Sequence, residues 1–196
     1  MKDLYNNINS KYCYKDSDVL INKMNLKKTK ELLYYEAKIT AAKSLDLRQR
    51  GITGNFDKKH YLSIHYYLFE DIYPFAGKLR EENISKGEFR FASWEYIESE
   101  HERLLEEIKN EKYFEGTTKE TLANRLAYYL SEFNVLHPFR EGNGRTNREF
   151  IRQLALKNKY KLNFGKIEPE KILKASIKSI VDYSDLESII LESLEK

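Results

Sequence analysis

Apolar residues recur along this chain at the three-and-four spacing of helices buried on one side, interrupted by short polar and glycine-bearing joints. Residues 27 to 49 carry Leu32, Leu33, Ala37, Ala41 and Leu45 on one side and are rich in good helix formers, which predicts a core helix. Gly51 and Gly54 break that pattern, Asp57 can cap a second helix, and Leu62, Tyr66 and Phe69 mark the face it should bury before Pro74. Ser93 is placed to cap a helix reaching about Asn110, with Trp94, Ile97, Leu104, Leu105 and Ile108 as its core stripe. Leu122, Leu126, Leu130 and Phe133 predict a helix over 120 to 136, and Thr117 and Glu120 have the spacing of a capping box. Phe150, Ile151 and Leu154 begin another stripe, and Pro169 opens a helix with Ile172, Ile177 and Ile180. Ser184 and Glu187 read as the capping box of a last helix bearing Leu186, Ile189, Ile190 and Leu194. One stretch departs from the helical period: residues 83 to 91 alternate around a Lys-Gly centre, which predicts a short β-hairpin in an otherwise all-α fold.

Composition narrows the class without naming it. The 196 residues suit one domain over 1–196, and 41% hydrophobic residues suffice for a core. Charged residues make up 33% but nearly cancel to +3, so neither direct nucleic-acid binding nor an anionic membrane is expected. Cys13 is the single cysteine, and no Cys/His cluster has zinc spacing. His60 and His65 are five apart, which is not the helical spacing of a metal pair, so both are expected to be structural. Residues 1 to 11 are polar and expected to be loose, the opening from Met1 to Asn6 lacks the apolar core of a signal peptide, and no apolar run approaches the ~20 residues of a membrane span. A cytoplasmic protein is the expectation.

Candidate chemistry concentrates in residues 137–148, His-Pro-Phe-Arg-Glu-Gly-Asn-Gly-Arg-Thr-Asn-Arg. Pro138 should push His137 out of helical geometry, so the segment reads as helix, tight loop, helix. Gly142 and Gly144 can take positive φ and leave backbone N–H groups pointing into a common concavity at the start of the second helix. The helix dipole and the side chains of Arg145 and Arg148 would make that concavity attract a polyphosphate, and Arg152 shares their face. Glu141 among these cations is suited to a Mg2+ ion that bridges phosphates. His137 could take a proton from an incoming hydroxyl near neutral pH. Taken singly, each piece has an ordinary explanation as a helix end, a plain turn or a solvated basic face.

Taken together, the residues match His-x-Phe-x-Asp/Glu-Gly-Asn-Gly-Arg-x-x-Arg position for position, and in this the chain resembles the Fic family. The likeness extends over about residues 12 to 190, through the Tyr12-Cys13-Tyr14 and Asp18 to Lys23 entry and the Phe75-Ala76-Gly77 turn. It implies a Fic-type helical domain whose hairpin, residues 83–91, is a flap that holds a target segment by strand addition through Ile84, Ser85, Lys86, Gly87 and Phe89. It implies transfer of AMP from ATP to a Ser, Thr or Tyr hydroxyl of a target protein. His137 would be the base, Glu141 the Mg2+ ligand, Gly142, Asn143 and Gly144 the cradle of the α- and β-phosphates, and Arg145 and Arg148 the binders of the β/γ end. Phe139 would point into the core.

Two rival chemistries lie on the same loop. Phosphorylation, as in the related Doc kinases, goes with a Lys where this chain has Gly144, and a mere binding module would be expected to lack His137 or Glu141. For control, many Fic enzymes carry an inhibitory Ser/Thr-x-x-x-Glu-Gly/Asn helix. Here Ser188 to Ser193 matches it in part, with Glu192 followed by Ser193. The expectation is therefore a toxin silenced by a separate small helical antitoxin that sets a Glu against Arg148, with a self-inhibited enzyme as the alternative.

Overall fold

The computed structural model describes residues 10–196; most of the polar opening, residues 1–9, lies outside them. The chain is mainly helical, with α1 (Thr29–Arg50), α2 (Lys58–Phe69), α3 (Ile97–Asn110), α4 (Lys119–Leu136), α5 (Asn143–Lys157), α6 (Pro169–Lys178) and α7 (Ser184–Ser193). The expected hairpin is present as β1 (Ser85–Lys86) and β2 (Phe89–Arg90), antiparallel with Ser85 opposite Arg90 and Lys86 opposite Phe89. A second pair, β3 (Lys161–Leu162) with β4 (Leu194–Glu195), was not anticipated, and it takes Leu194 out of the last helix.

The core is built around α4, which packs against α3, α5 and α7. Leu122, Leu126, Leu130 and Phe133 are all within 1% of complete burial, each worth roughly 1.5–3 kcal/mol of apolar transfer. Packing shifts several predicted faces and caps. On α2 the buried residues are His60, Tyr61, Ile64, His65, Leu68 and, as expected, Phe69, whereas Leu62 is only partly buried and Tyr66 is exposed, because α2 meets α5 on the face where Tyr61 stands among Phe133, Phe139 and Phe150. Both histidines of α2 are buried there.

Trp94 is 41% exposed, on a 3-10 turn (Trp94–Tyr96) ahead of α3, and Ser93 supplies no side-chain cap. The Oδ1 of Asn83 instead accepts the Trp94 N–H at 3.0 Å. The N-cap of α4 is Thr118, whose hydroxyl accepts the Thr121 N–H at 3.2 Å, while Thr117 turns back to the Phe114 carbonyl. The proposed box at α7 is not used either, since Glu187 accepts from Asn124 at 2.9 Å. On α6, Ala175 is the buried residue, and Ile177 with the following Ile180 faces outward.

Candidate active site

Helix α4 ends where the chemistry begins. His137 is its C-cap, in the left-handed region at φ 49° and ψ 60°, a conformation that costs a non-glycine residue about 1–2 kcal/mol. Its N–H donates to the Phe133 carbonyl at 3.0 Å, and its carbonyl accepts from Nε of Arg80 at 2.8 Å. Arg80 is 1% exposed; its Nη1 donates to the Glu82 carbonyl and its Nη2 to the Ala92 carbonyl, both at 2.6 Å. One buried guanidinium thus ties the end of α4 to the chain leaving the hairpin.

The imidazole of His137 is fixed on two sides. Nδ1 lies 3.0 Å from the Asn134 carbonyl, which can only accept, so Nδ1 carries the hydrogen and Nε2 carries the lone pair. The ring of Phe91 stacks on it, with centroids 3.8 Å apart and planes 23° apart. Burial, followed among the lowering influences by the charges of Arg80 and Lys86, pushes the imidazole down to about 3, so the ring is neutral at physiological pH.

The loop after His137 is anchored from below. Phe139 is fully buried and stacks on His65 at 3.7 Å. Nδ1 of His65 accepts the Gly77 N–H at 2.8 Å, so its Nε2–H donates to the Glu141 carbonyl at 2.9 Å. Gly142 sits at φ 85°, and a Cβ there would lie 2.2 Å from Cζ of Phe69. Gly144, expected to share that conformation, is instead helical within α5; a Cβ there would approach Nη1 of Arg148 to 3.0 Å. Asn143 is 1% exposed, and its side chain is engaged with Phe139, accepting the N–H at 2.8 Å and donating to the carbonyl at 2.7 Å. It therefore presents only its backbone to the concavity. Helix α5 has no side-chain N-cap, and its first-turn N–H groups have no intrahelical acceptor.

The three arginines have different surroundings. Nη2 of Arg145 pairs with Glu36 at 2.7 Å and with Glu141 at 3.2 Å, and its Nη1 donates to Thr40 at 2.9 Å. Glu36, 2% exposed on α1, also accepts from the Tyr73 hydroxyl. Arg152 pairs with Glu149 at 2.7 Å. Among the described residues no carboxylate pairs with Arg148, and burial, then the charge of Arg145, lowers its guanidinium to about 10.

A cavity of about 1470 Å3 brings together His137, Glu141, Gly142, Asn143, Gly144, Arg145 and Arg148 with Lys86, Gly87 and Phe89 of the hairpin. Two of the expected hairpin residues stand apart from it. Ser85 does not line the cavity, and neither does Ile84, which is 3% exposed with its carbonyl accepting the Phe91 N–H. Glu36, Arg80 and Phe91 did not stand out in the sequence. Their partners lie 109, 57 and 46 positions away, beyond any local pattern.

Residues 55–155 match the family model described as Fic/DOC family. The chain is 36% identical to protein adenylyltransferase VbhT of Bartonella schoenbuchensis, over 95% of this chain and 39% of that longer protein. It is also 36% identical to y4lH of Sinorhizobium fredii, which carries the name probable protein adenylyltransferase, over 89% of this chain and 90% of that one. In structure it matches the N-terminal Fic domain, with bound ADP, of a VirB-translocated Bep effector protein from Bartonella quintana, at a TM-score of 0.89 and 25% identity over 94% of each chain. The motif loop at the end of α4, the helical frame around it and these matches agree: the chain belongs to the Fic/DOC family.

Proposed function

We propose that this chain is a protein adenylyltransferase, transferring AMP from ATP to a Ser, Thr or Tyr hydroxyl of a target protein. The observation that carries this reading is the composition of one cavity: it is lined by a neutral imidazole, by an uncapped helix start and by Arg148, which no carboxylate among the described residues neutralises. The adenylyltransferase names of the two relatives and the ADP in the structural neighbour support it.

In this reading Nε2 of His137 takes the proton of the target hydroxyl as its oxygen bonds to the α-phosphorus, while the bond from that phosphorus to pyrophosphate breaks. The N–H groups of Asn143, Gly144 and Arg145 stabilise charge on the α- and β-phosphates, and Arg148 holds the far end. Arg145 acts differently from the simplest expectation, because its Nη groups hold Glu141 and are held by Glu36 and Thr40. An imidazole held at about 3 is a weak base, and the negative charge of a bound nucleotide raises it toward neutrality, so activation of the base accompanies ATP binding.

Mg2+ fits at Glu141. The carboxylate, a hard oxygen donor, lines the cavity and would hold the ion there. When bound it neutralises phosphate charge. The test is His137→Ala and Glu141→Ala with α-labelled ATP. His137→Ala should lose transfer by roughly 100-fold or more while ATP binding persists. Glu141→Ala should lose Mg2+-dependent transfer. Transfer retained by folded His137→Ala removes the base from this reading.

Control by a separate small helical antitoxin, acting in the cytoplasm, is the second part of the proposal. An apolar strip lies along the rim of the cavity, formed by Leu33 and Ala37 of α1 with Leu173 and Ile177 of α6, the last two 53% and 60% exposed. An amphipathic helix seated there could bring a Glu to Arg148. Self-inhibition through Glu192 has less support, since that side chain is 63% exposed and nearest Lys171, at 3.8 Å.

A further inference from the structure

The base and the hairpin meet through a residue that the motif does not contain. Phe91 follows β2 directly, lines the cavity, and stacks on the His137 ring, while the Phe89 ring of β2 meets the Phe91 ring edge to face with centroids 5.1 Å apart. The backbone around it is fastened at both sides: the Phe91 N–H donates to the Ile84 carbonyl at 3.3 Å, and the next N–H, of Ala92, donates to the Val135 carbonyl on α4 at 3.4 Å. Arg80 then links the Ala92 carbonyl to that of His137. The hairpin and the end of α4 that carries the imidazole are therefore joined within two residues of β2.

We propose that Phe91 is a positioning residue for His137, fixing the plane of the imidazole. Physically, the hydrogen bond at Nδ1 holds one edge of the neutral imidazole, and an aromatic ring stacked at van der Waals distance holds its plane and excludes water from one face. The charged groups that face the ring from other elements are Arg80 before the hairpin and Lys86 in β1; the motif loop and α5 add Glu141, Arg145 and Arg148 around the same cavity. Removing Phe91 leaves these charges in place and changes the hydration and mobility of the ring.

This inference rests on the proposed base role of His137, so the test has one arm that needs no turnover. Phe91→Ala, Phe91→Leu and Phe91→Tyr are compared with the wild type by NMR titration of the His137 imidazole, assigned with His137→Ala. The wild type should stay neutral below about pH 5 with hydrogen on Nδ1. Phe91→Ala and Phe91→Leu should titrate about one pH unit higher or more with mixed tautomers, and Phe91→Tyr should follow the wild type. In the second arm, the maximal rate of AMP transfer should fall roughly 10- to 100-fold in the Ala and Leu variants, with KM for ATP within about threefold, and recover in the Tyr variant. Phe91→Leu retains bulk and decides the matter if Phe91→Ala does not fold. An unchanged His137 titration in the Leu variant, or a Tyr variant as impaired as Leu, overturns the proposal. If the wild type transfers no AMP while the titrations differ as stated, the coupling of Phe91 to His137 stands and the adenylyltransferase reading falls.

Discussion

Gly142 leaves less room for a side chain than Gly144, the other glycine of the motif loop. Its φ of 85° disfavours any L side chain, and a Cβ would overlap the Phe69 ring at 2.2 Å. Gly142→Ala should cost about 1–3 kcal/mol in thermal or urea unfolding and lower activity, because Glu141 and the α5 start move with it. The motif thus keeps this glycine for packing as well as for any ligand. The opposite sign is expected at His101, which is fully buried on α3 with neither ring nitrogen bonded among the described residues, edge-on to Tyr61 at 4.5 Å. His101→Leu removes two unsatisfied polar atoms at similar volume, and should raise stability by about 1–3 kcal/mol in the same measurement.

At the scale of elements, the cap of α4 separates two sequence-compatible choices. Thr118→Ala removes the hydroxyl that accepts the Thr121 N–H and should cost about 1 kcal/mol, more than Thr117→Ala; equal losses would contradict the assigned cap. The helices themselves were legible because burial on one side writes a 3.6-residue period into the chain. The hairpin was legible because its alternation breaks that period around Gly87. Which way a short helix faces was less legible: α2 has apolar residues on both sides, and only the packing of Tyr61 against α5 turns Tyr66 outward. The site follows the same division. Residues 137–148 are contiguous and could be read directly, whereas Glu36 and Arg80 join them from α1 and from the turn after α2 through buried contacts. Glu192 tests regulation at this scale. Lying on the outer face of α7 beside Lys171, Glu192→Gly should leave AMP transfer within about twofold, while strong activation would locate the inhibitor within this chain.

For the whole molecule, buried histidines set the response to acid. His65 and His101 are both completely buried, and burial, first among the causes, holds each down to about 3 against 6.5 in an unfolded chain. Between those values the unfolded state binds protons that the native state refuses. Their stabilising share is therefore complete above about pH 6.5 and is lost as pH falls toward 3, at up to about 1.4 kcal/mol per pH unit for each. Unfolding temperature should drop steeply between pH 7 and 5, and a flat profile would contradict the burial of these rings. Function is tested most directly by offering the isolated protein and a protein extract, with Mg2+, ATP labelled at either the α- or the γ-phosphate. A neutral His137 sharing one cavity with an uncapped helix start, with Gly144 where a kinase relative would carry Lys, predicts that the α-label becomes attached to protein and the γ-label does not. Attachment of the γ-label, or of neither, would contradict the account.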